Sequence, residues 1–322
     1  MLRKSVVNNP SLRIAILGAG FIGKNLLRSY VSSGHELRVL DRNSCPDEFL
    51  YSTHWHKGSF DNSKDIVSTI AGADVVFHLI SSTVPADQID ENREIMTNVI
   101  QTINLLRLCI EHKIGRLIFM SSASVYGRIK TLPIKESDET NPISSHGIHK
   151  LTIEKYVDLF NYKYGLDVKI MRLSNPYGWG QNLFGRQGFI AIAIGKIISG
   201  NPIIVTGDGS AIRDYVHIDD VVKACQLLGN TNSKEILFNI GSGVGITIND
   251  VLVKIKRIVD RPFEVSYVNP RAGDILASVL DISKAKSLLS FEPSIKFNEG
   301  LKQYLRRVVS ANGQQHLDSF RR

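Results

Sequence analysis

What is scarce in this chain narrows its class before any motif is read. Cysteine occurs three times in 322 residues, as Cys45, Cys109 and Cys225, far apart and with no metal-ligand spacing. That excludes a disulfide-stapled scaffold and a cysteine-rich zinc site, and no metal is expected. Cys109 and Cys225 fall in amphipathic helical patterns and read as buried thiols, which fits a reducing cytoplasm. No apolar segment before Pro10 is long enough for a signal peptide, and no later run is long enough to cross a bilayer. A cytoplasmic protein with no integral membrane segment is therefore expected. Blocks of like charge are missing too. Lys and Arg total 39 against 31 Asp and Glu, a net charge of +8, but they are dispersed, so no nucleic-acid partner is expected. The positive balance suits a phosphate-bearing ligand. Only Arg306-Arg307 and Arg321-Arg322 concentrate basic charge, and they read as a solvated end. Without internal repeats or a sharp linker, the length points to two lobes packed tightly together.

The first positive signal follows a loose lead-in. Residues 13–17 form an apolar run ending in Gly18-Ala19-Gly20-Phe21-Ile22-Gly23, and a helical pattern continues through Leu26, Leu27 and Tyr30. A strand, a glycine turn and a helix N-terminus bring backbone N–H groups to a pyrophosphate, and the helix dipole favours its charge. The glycine pattern alone is weak. It gains weight from a second strand at 37–41 ending in Asp41, where an acid would hold a ribose diol. Asp41 favours NAD over NADP because a carboxylate repels a 2′-phosphate; Arg42, next to it, pulls the other way. The plainer alternative for Asp41 is a surface acid at a strand end.

Strands are also expected at 54–60, 73–80 and 116–120, with helices at 61–70 and 90–112 between them. The unbroken apolar stretch around Leu79 reads as a buried parallel strand, and small residues from Ser81 onward would let a cofactor pass over its end. The alternation predicts an α/β fold: a Rossmann-type doubly wound parallel sheet, with ligands at the carboxyl ends of the strands. Residues 118–150 then place a hydroxyl-rich turn, Ser121-Ser122-Ala123-Ser124, after a strand. A helix follows in which His146 precedes Lys150 by one turn, a way of assembling a proton relay.

Residues 150–164 are amphipathic, 168–173 read as a strand, and 174–181 are too rich in Gly, Pro and Asn for regular structure. Beyond them, strands are expected at 203–206, 237–240 and 264–268 and helices at 189–199, 218–228 and 248–259. The division implied is a dinucleotide-binding domain at 12–174 and a smaller C-terminal substrate lobe at 175–310, interleaved with it. Residues 1–11 and 311–322 are expected to be flexible ends.

Taken in order, Gly18 to Gly23, Ser121-Ser122-Ala123-Ser124-Val125-Tyr126-Gly127, Asn175-Pro176-Tyr177-Gly178, Arg213-Asp214-Tyr215-Val216-His217-Ile218-Asp219-Asp220 and Arg271-Ala272-Gly273-Asp274 resemble the extended short-chain dehydrogenase/reductases. The branch most similar is the NAD-dependent epimerase/dehydratase family, in particular the UDP-hexose 4-epimerase kind, over about residues 12–305. The resemblance implies NAD as cofactor, a UDP-sugar as substrate, a role in surface polysaccharide synthesis and a homodimer joined through helices around 90–112 and 147–164. It implies that Ser122 hydrogen-bonds the sugar 4-hydroxyl with Ser124 nearby, and that Lys150 holds the nicotinamide ribose. Asn175, Arg213 and Arg271 would hold the nucleotide diphosphate, and Asp274 would lie near the nucleotide ribose. Guanidinium forks suit pyrophosphate oxygens on independent grounds, whereas the plain alternative for each arginine is an ion pair.

The chain departs from the family pattern in its shorter glycine spacing, in Ser59 and Ser81, and above all at His146, which stands where the family motif has tyrosine. Ala123 and Ser124 replace the Asp-Glu of related sugar dehydratases, which argues against dehydration. A neutral imidazole, with an ordinary pKa of about 6.5, takes a hydroxyl proton without the shift a tyrosine needs. Its nitrogen, however, stops short of where a phenolic oxygen reaches, and base geometry comes before base pKa. Three readings stay open: His146 is the base, directly or through water; His146 is a placeholder in an impaired NAD and UDP-sugar binder; or His149 or Tyr126 supplies the proton step. His149 is expected to face away from the site and Tyr126 to pack under the loop. A reductase or oxidase of the same fold is the further alternative.

Overall fold

The computed structural model describes residues 11–81, 90–129, 131–259, 261–270 and 274–311. Its frame is a seven-stranded sheet in the order β10-β6-β5-β4-β1-β2-β3, every pair parallel. The first half of the chain contributes β1 (Arg13–Leu17), α1 (Phe21–Tyr30), β2 (Glu36–Asp41), β3 (His54–Lys57), α2 (Ser63–Ile70) and β4 (Val75–His78). Then come α3 (Glu91–Glu94), a π-helical segment (Ile95–Ile100), α4 (Gln101–Glu111), β5 (Arg116–Ser122), α5 (Ser145–Tyr164) and β6 (Val168–Leu173). The strand order reverses between β1 and β4, the switch point where a doubly wound sheet opens a crevice at its carboxyl edge.

The strands read as continuous apolar runs because both faces are covered. Ile14 and Ile16 of β1, Val75 and Phe77 of β4, and Ile118 and Met120 of β5 enter one core; Ala15, Leu17, Val76, Leu117 and Phe119 enter the other. Alternate residues thus feed opposite layers, as the two-residue period of a strand requires.

The second half is threaded through the first. β7 (Asn175–Tyr177), α6 (Phe189–Ile198), β8 (Ile203–Thr206) and β9 (Ile212–His217) begin the smaller lobe, but α7 (Ile218–Asn230) packs on α1 and β10 (Leu237–Ile240) extends the large sheet beside β6. β11 (Gly245–Thr247), α8 (Ile248–Ile258), β12 (Val265–Val268), β13 (Ala277–Ser278), α9 (Ser283–Leu289) and α10 (Phe297–Ala311) complete the chain. β9 is the hub of the lobe: β7 and β13 run parallel to it and β11 antiparallel, while β8 pairs with β12. A separate core forms there from Tyr177, Ile194, Tyr215, Ile255, Leu301 and Tyr304, among others.

Several elements differ from the sequence expectation. The stretch 174–181 is not wholly irregular, since Asn175–Tyr177 pairs with β9. Its partner lies some forty residues on, out of reach of local composition. The strand expected at 54–60 stops at Lys57, and its last ladder bond is the one that Gly58 N donates to the Asp41 carbonyl at 3.0 Å. α5, by contrast, opens at Ser145, in keeping with the expected helix that begins at His146, and Ser144 caps it by accepting from Gly147 N at 3.2 Å. The helix expected at 90–112 contains the π-helical segment. Of the ends expected to be flexible, Ser11 donates to the Gly34 carbonyl at 2.7 Å and Ala311 closes α10; the rest lie outside the described residues.

Candidate active site

Along the carboxyl edge of the large sheet runs a cavity of about 940 Å³, roofed by the smaller lobe and at the upper end of ordinary ligand-site volumes. Its first wall is the glycine turn. Gly18 has φ of +97°, and a Cβ there would lie 2.9 Å from Ile80 Cγ1, so β1 can turn beside β4 only with glycine. A Cβ on Gly23 would strike the Gly18 carbonyl, while one on Gly20 would meet nothing within 4 Å. Gly20 is therefore the open side of the turn, where a ligand can approach the backbone. α1 begins at Phe21 with no side-chain cap and no acid in its first turn, so its N-terminal N–H groups and the positive end of its dipole are left for an anion. The residues present fit a dinucleotide pyrophosphate. Gly18, Gly20, Phe21, Ile22, Gly23, Leu79 and Ser81 all line the cavity.

Asp41 and Arg42 do not line it. Asp41 accepts from Ala19 N at 2.8 Å through Oδ2, and from Asn43 N and Nδ2 at 2.8 and 2.9 Å through Oδ1. Its carboxylate thus ties the glycine turn to the end of β2, just outside the cavity wall.

The central wall brings together Ser122, Ser124, His146 and Lys150. β5 delivers Ser122 at its last residue. The chain then turns through a 3₁₀ segment, Ala123–Val125, which Ser122 caps by accepting from Ser124 N at 3.2 Å. Ser124 Oγ also donates to Ser122 Oγ at 2.9 Å, which leaves the Ser122 hydroxyl proton for a third partner. From α5, His146 and Lys150 share a face four residues apart, both buried. Lys150 Nζ donates to the Met120 carbonyl at 2.7 Å and sits 4.8 Å over the Phe119 ring. Burial pushes its pKa down to about 8, against the pull of Glu154.

His149 and Tyr126 lie elsewhere, as expected from their positions. His149 is buried with Nδ1 3.7 Å from a Glu94 carboxylate oxygen, on the flank facing α3. Tyr126 donates its hydroxyl to Asn239 Oδ1 at 2.6 Å under the Arg172 guanidinium, and burial raises its pKa to about 12. Neither lines the cavity, so of the three histidine and tyrosine candidates only His146 faces it.

The far wall comes from the smaller lobe. Arg213, on β9, lines the cavity with Asn175 of β7 and Asp274. Among the described residues Arg213 forms no ion pair. It donates to the Ile212 carbonyl at 2.9 Å, and burial outweighs Tyr215 and Asp274 in lowering its pKa. A half-buried guanidinium facing the cavity is a receptor for a phosphate. Arg271 lies outside the described residues. Asn175 Nδ2 donates to the Asp214 carbonyl at 3.1 Å, anchoring β7 to β9.

Sequence reasoning missed Gln181, Gln187, Tyr215, Thr206, Asp208 and Ser210, which also line this end. A faint signal existed: Thr206-Gly207-Asp208-Gly209 follows an expected strand, Gly207 and Gly209 both adopt φ of +78°, and this second glycine turn borders the same cavity through Thr206, Gly207 and Asp208. Among the described residues no His, Cys, Asp and Glu cluster could hold a metal, and no helix is long and apolar enough to cross a membrane.

Comparison with known proteins supplies the context for this cavity. The model of the NAD dependent epimerase/dehydratase family matches residues 14–241. A UDP-glucose 4-epimerase of Mycolicibacterium smegmatis is 30% identical over 301 residues, 90% of this chain and 96% of its own length. A dTDP-4-dehydro-6-deoxyglucose reductase of Escherichia coli is 28% identical over 302 residues, covering 90% and 95%. The crystal structure of a Thermotoga maritima UDP-glucose 4-epimerase with UDP-glucose superposes with a TM-score of 0.88 at 31% identity, over 94% of this chain and all of that one.

Proposed function

Since the chain belongs to the NAD dependent epimerase/dehydratase family, we propose that it is an NAD-dependent nucleotide-sugar 4-epimerase. Its substrate would be a UDP-hexose or its N-acetyl or uronic acid form, with a role in surface polysaccharide synthesis. The observation that carries this reading is convergence: one cavity joins the glycine turn, the Ser122, His146 and Lys150 group, and the Arg213 guanidinium. A nucleotide diphosphate held at Arg213 and Asn175 leaves its sugar over Ser122, between the diphosphate and the nicotinamide end.

When bound, NAD supplies a hydride acceptor at the sugar C4 and returns the hydride. The protein supplies the proton steps. Ser122 donates to the 4-oxygen and orients it, an interaction strengthened because Ser124 donates to Ser122 in turn. His146 takes the 4-hydroxyl proton in its neutral form, directly or through one water, and gives it back to the same 4-oxygen when the hydride is returned to the opposite face of the rotated 4-keto sugar. Lys150 holds the nicotinamide ribose. The three interior walls exclude bulk water while the keto sugar turns over.

The test is product analysis. The purified protein with NAD is incubated with UDP-glucose, UDP-N-acetylglucosamine and UDP-glucuronic acid, and 4-epimers are resolved for the native protein, His146→Tyr and His146→Ala. Native turnover lost in His146→Ala is expected. A native protein that turns over nothing while His146→Tyr does would show that the histidine is a placeholder. A second reading, a 4-keto sugar reductase, is favoured by the Escherichia coli relative; it requires stoichiometric consumption of reduced cofactor, where an epimerase shows none. The working unit in this reading is a homodimer, supported by apolar residues left exposed on α5 and the π-helical segment.

A further inference from the structure

Behind the cavity wall, one turn beyond Lys150, the same face of α5 carries Glu154. Three ionisable residues are thus spaced four apart along one face: His146, Lys150, Glu154. Glu154 is 4% exposed and cannot swing. Ser121 Oγ of β5 donates to Oε1 at 2.5 Å. Arg172 of β6 donates from Nε to Oε1 and Oε2 at 3.0 and 3.2 Å and from Nη2 to Oε2 at 2.7 Å. Arg172 is itself buried, its guanidinium 4.7 Å over the Tyr126 ring. The carboxylate is therefore fixed by two strands of the large sheet.

Lys150 needs such a neighbour. Its ammonium has the Met120 carbonyl and the Phe119 ring as partners. The ionisable groups packed round it are His78 from β4, Arg172 beyond Glu154 from β6, and His146 and Glu154 from its own helix; the acid among them is Glu154. His149, next in sequence, turns to Glu94 on the other flank. A buried ammonium with no nearby anion gives up its proton, and a neutral lysine could not serve the ribose and the proton step as a cation.

We propose that Glu154 is a positioning residue that acts through Lys150: a carboxylate clamped by Arg172 and Ser121 that keeps the Lys150 ammonium charged at the nicotinamide end of the cavity. The proposal rests on the reading of Lys150 as the ribose-holding residue. Burial already lowers the Lys150 pKa to about 8, and Glu154 is what opposes that fall.

Two variants separate this role from a merely structural clamp. Glu154→Gln removes the charge but leaves Arg172 buried and unpaired, which threatens folding. The double variant Glu154→Gln/Arg172→Met removes both charges together and keeps the volume. The Lys150 ammonium is titrated by NMR on protein labelled with ¹⁵N-lysine, its signal assigned by loss in Lys150→Arg, and NAD affinity is measured from pH 6 to 9.5. In the double variant the Lys150 titration is expected to move down by about one pH unit or more, and the weakening of NAD binding at high pH to begin correspondingly earlier. An unchanged Lys150 midpoint in a folded double variant overturns the proposal, even if thermal stability falls. Neither readout depends on sugar turnover: a protein that epimerises nothing defeats the 4-epimerase reading and leaves this result standing.

Discussion

His78, at the end of β4, has one assignable tautomer. Thr102 donates its hydroxyl proton to the Asn98 carbonyl at 2.6 Å, so the 2.8 Å contact between Thr102 Oγ1 and His78 Nε2 must be donated by the ring. Nδ1 is left buried and without a partner, between the Phe60 and Phe119 rings. Burial and the nearby Lys150 charge push its pKa down to about 3. Above pH 6.5 the ring is neutral in both folded and unfolded chains and contributes nothing to the pH dependence. Below that, the unfolded chain binds a proton that the folded one refuses, so stability falls with pH down to the folded value, at up to about 1.4 kcal/mol per pH unit. His149, also lowered by burial, adds to the loss in the same window. Melting temperatures measured between pH 7.5 and 4.5 should decline less steeply for His78→Phe than for the native chain. Equal slopes would refute this account. His78 shows why some residues are illegible in sequence and others are not. Ser122 and Lys150 sit in local motifs, whereas His78 takes its partner 24 residues away and Glu154 finds Ser121 at a separation of 33. His146 was legible as a replacement, but its place on the cavity wall, and the exclusion of His149 and Tyr126, needed coordinates. Asp41 was legible as a strand-end acid, yet its bonds to Ala19 and Asn43 turn it toward the glycine turn.

At the scale of elements, catalytic geometry depends on how closely the start of α5 approaches the 3₁₀ turn after β5. The contact is made through Gly147. A Cβ there would lie 2.6 Å from the Ser124 carbonyl oxygen and 2.9 Å from Pro142 Cβ, so any side chain must push the helix away from the turn that carries Ser122 and Ser124. Overpacking of this kind costs about 1–3 kcal/mol, and the displaced helix carries His146 with it. For Gly147→Ala, kcat for epimerisation should fall at least about tenfold, since small misplacements of reacting groups are costly, while NAD affinity changes little because the glycine turn is untouched. Steady-state kinetics alongside NAD titration decides it; an unchanged kcat would mean that the turn yields freely. The large sheet was legible element by element because its strands are buried on both faces and announce themselves as apolar runs. The smaller lobe was not: β7, β11 and β13 are two or three residues long, too short for periodicity to register, and exist because β9 offers them edges.

The whole molecule shares its cores, and this bears on how it assembles. One core draws residues from Ile14 to Phe291, with Ile218, Val221 and Leu228 of α7 covering the sheet face that α1 leaves open. The opposite flank ends in α5 and the helical run 91–111, whose outer surfaces carry apolar residues left exposed among the described residues. Ile148, Tyr156 and Leu159 of α5 are exposed, as are Ile95, Met96 and Ile100 of the π-helical segment. In α5 they fall at intervals of eight and three residues, one stripe along the outside of the helix. The inner face of that helix carries His146, Lys150 and Glu154, so it cannot turn its apolar stripe inward without dismantling the cavity. A second copy presenting the same two helices would bury both stripes in an isologous interface, the commonest symmetry of soluble oligomers, and a stripe this long is more than the scattered apolar residues of an ordinary surface. Light scattering on the eluted protein should give twice the 35.8 kDa chain mass. Leu159→Arg, which places a charge in the middle of the stripe, should give the chain mass alone at micromolar concentration. If that variant stays dimeric, or if the native chain is monomeric throughout, the interface lies elsewhere or does not form, and α5 keeps its apolar stripe for another reason.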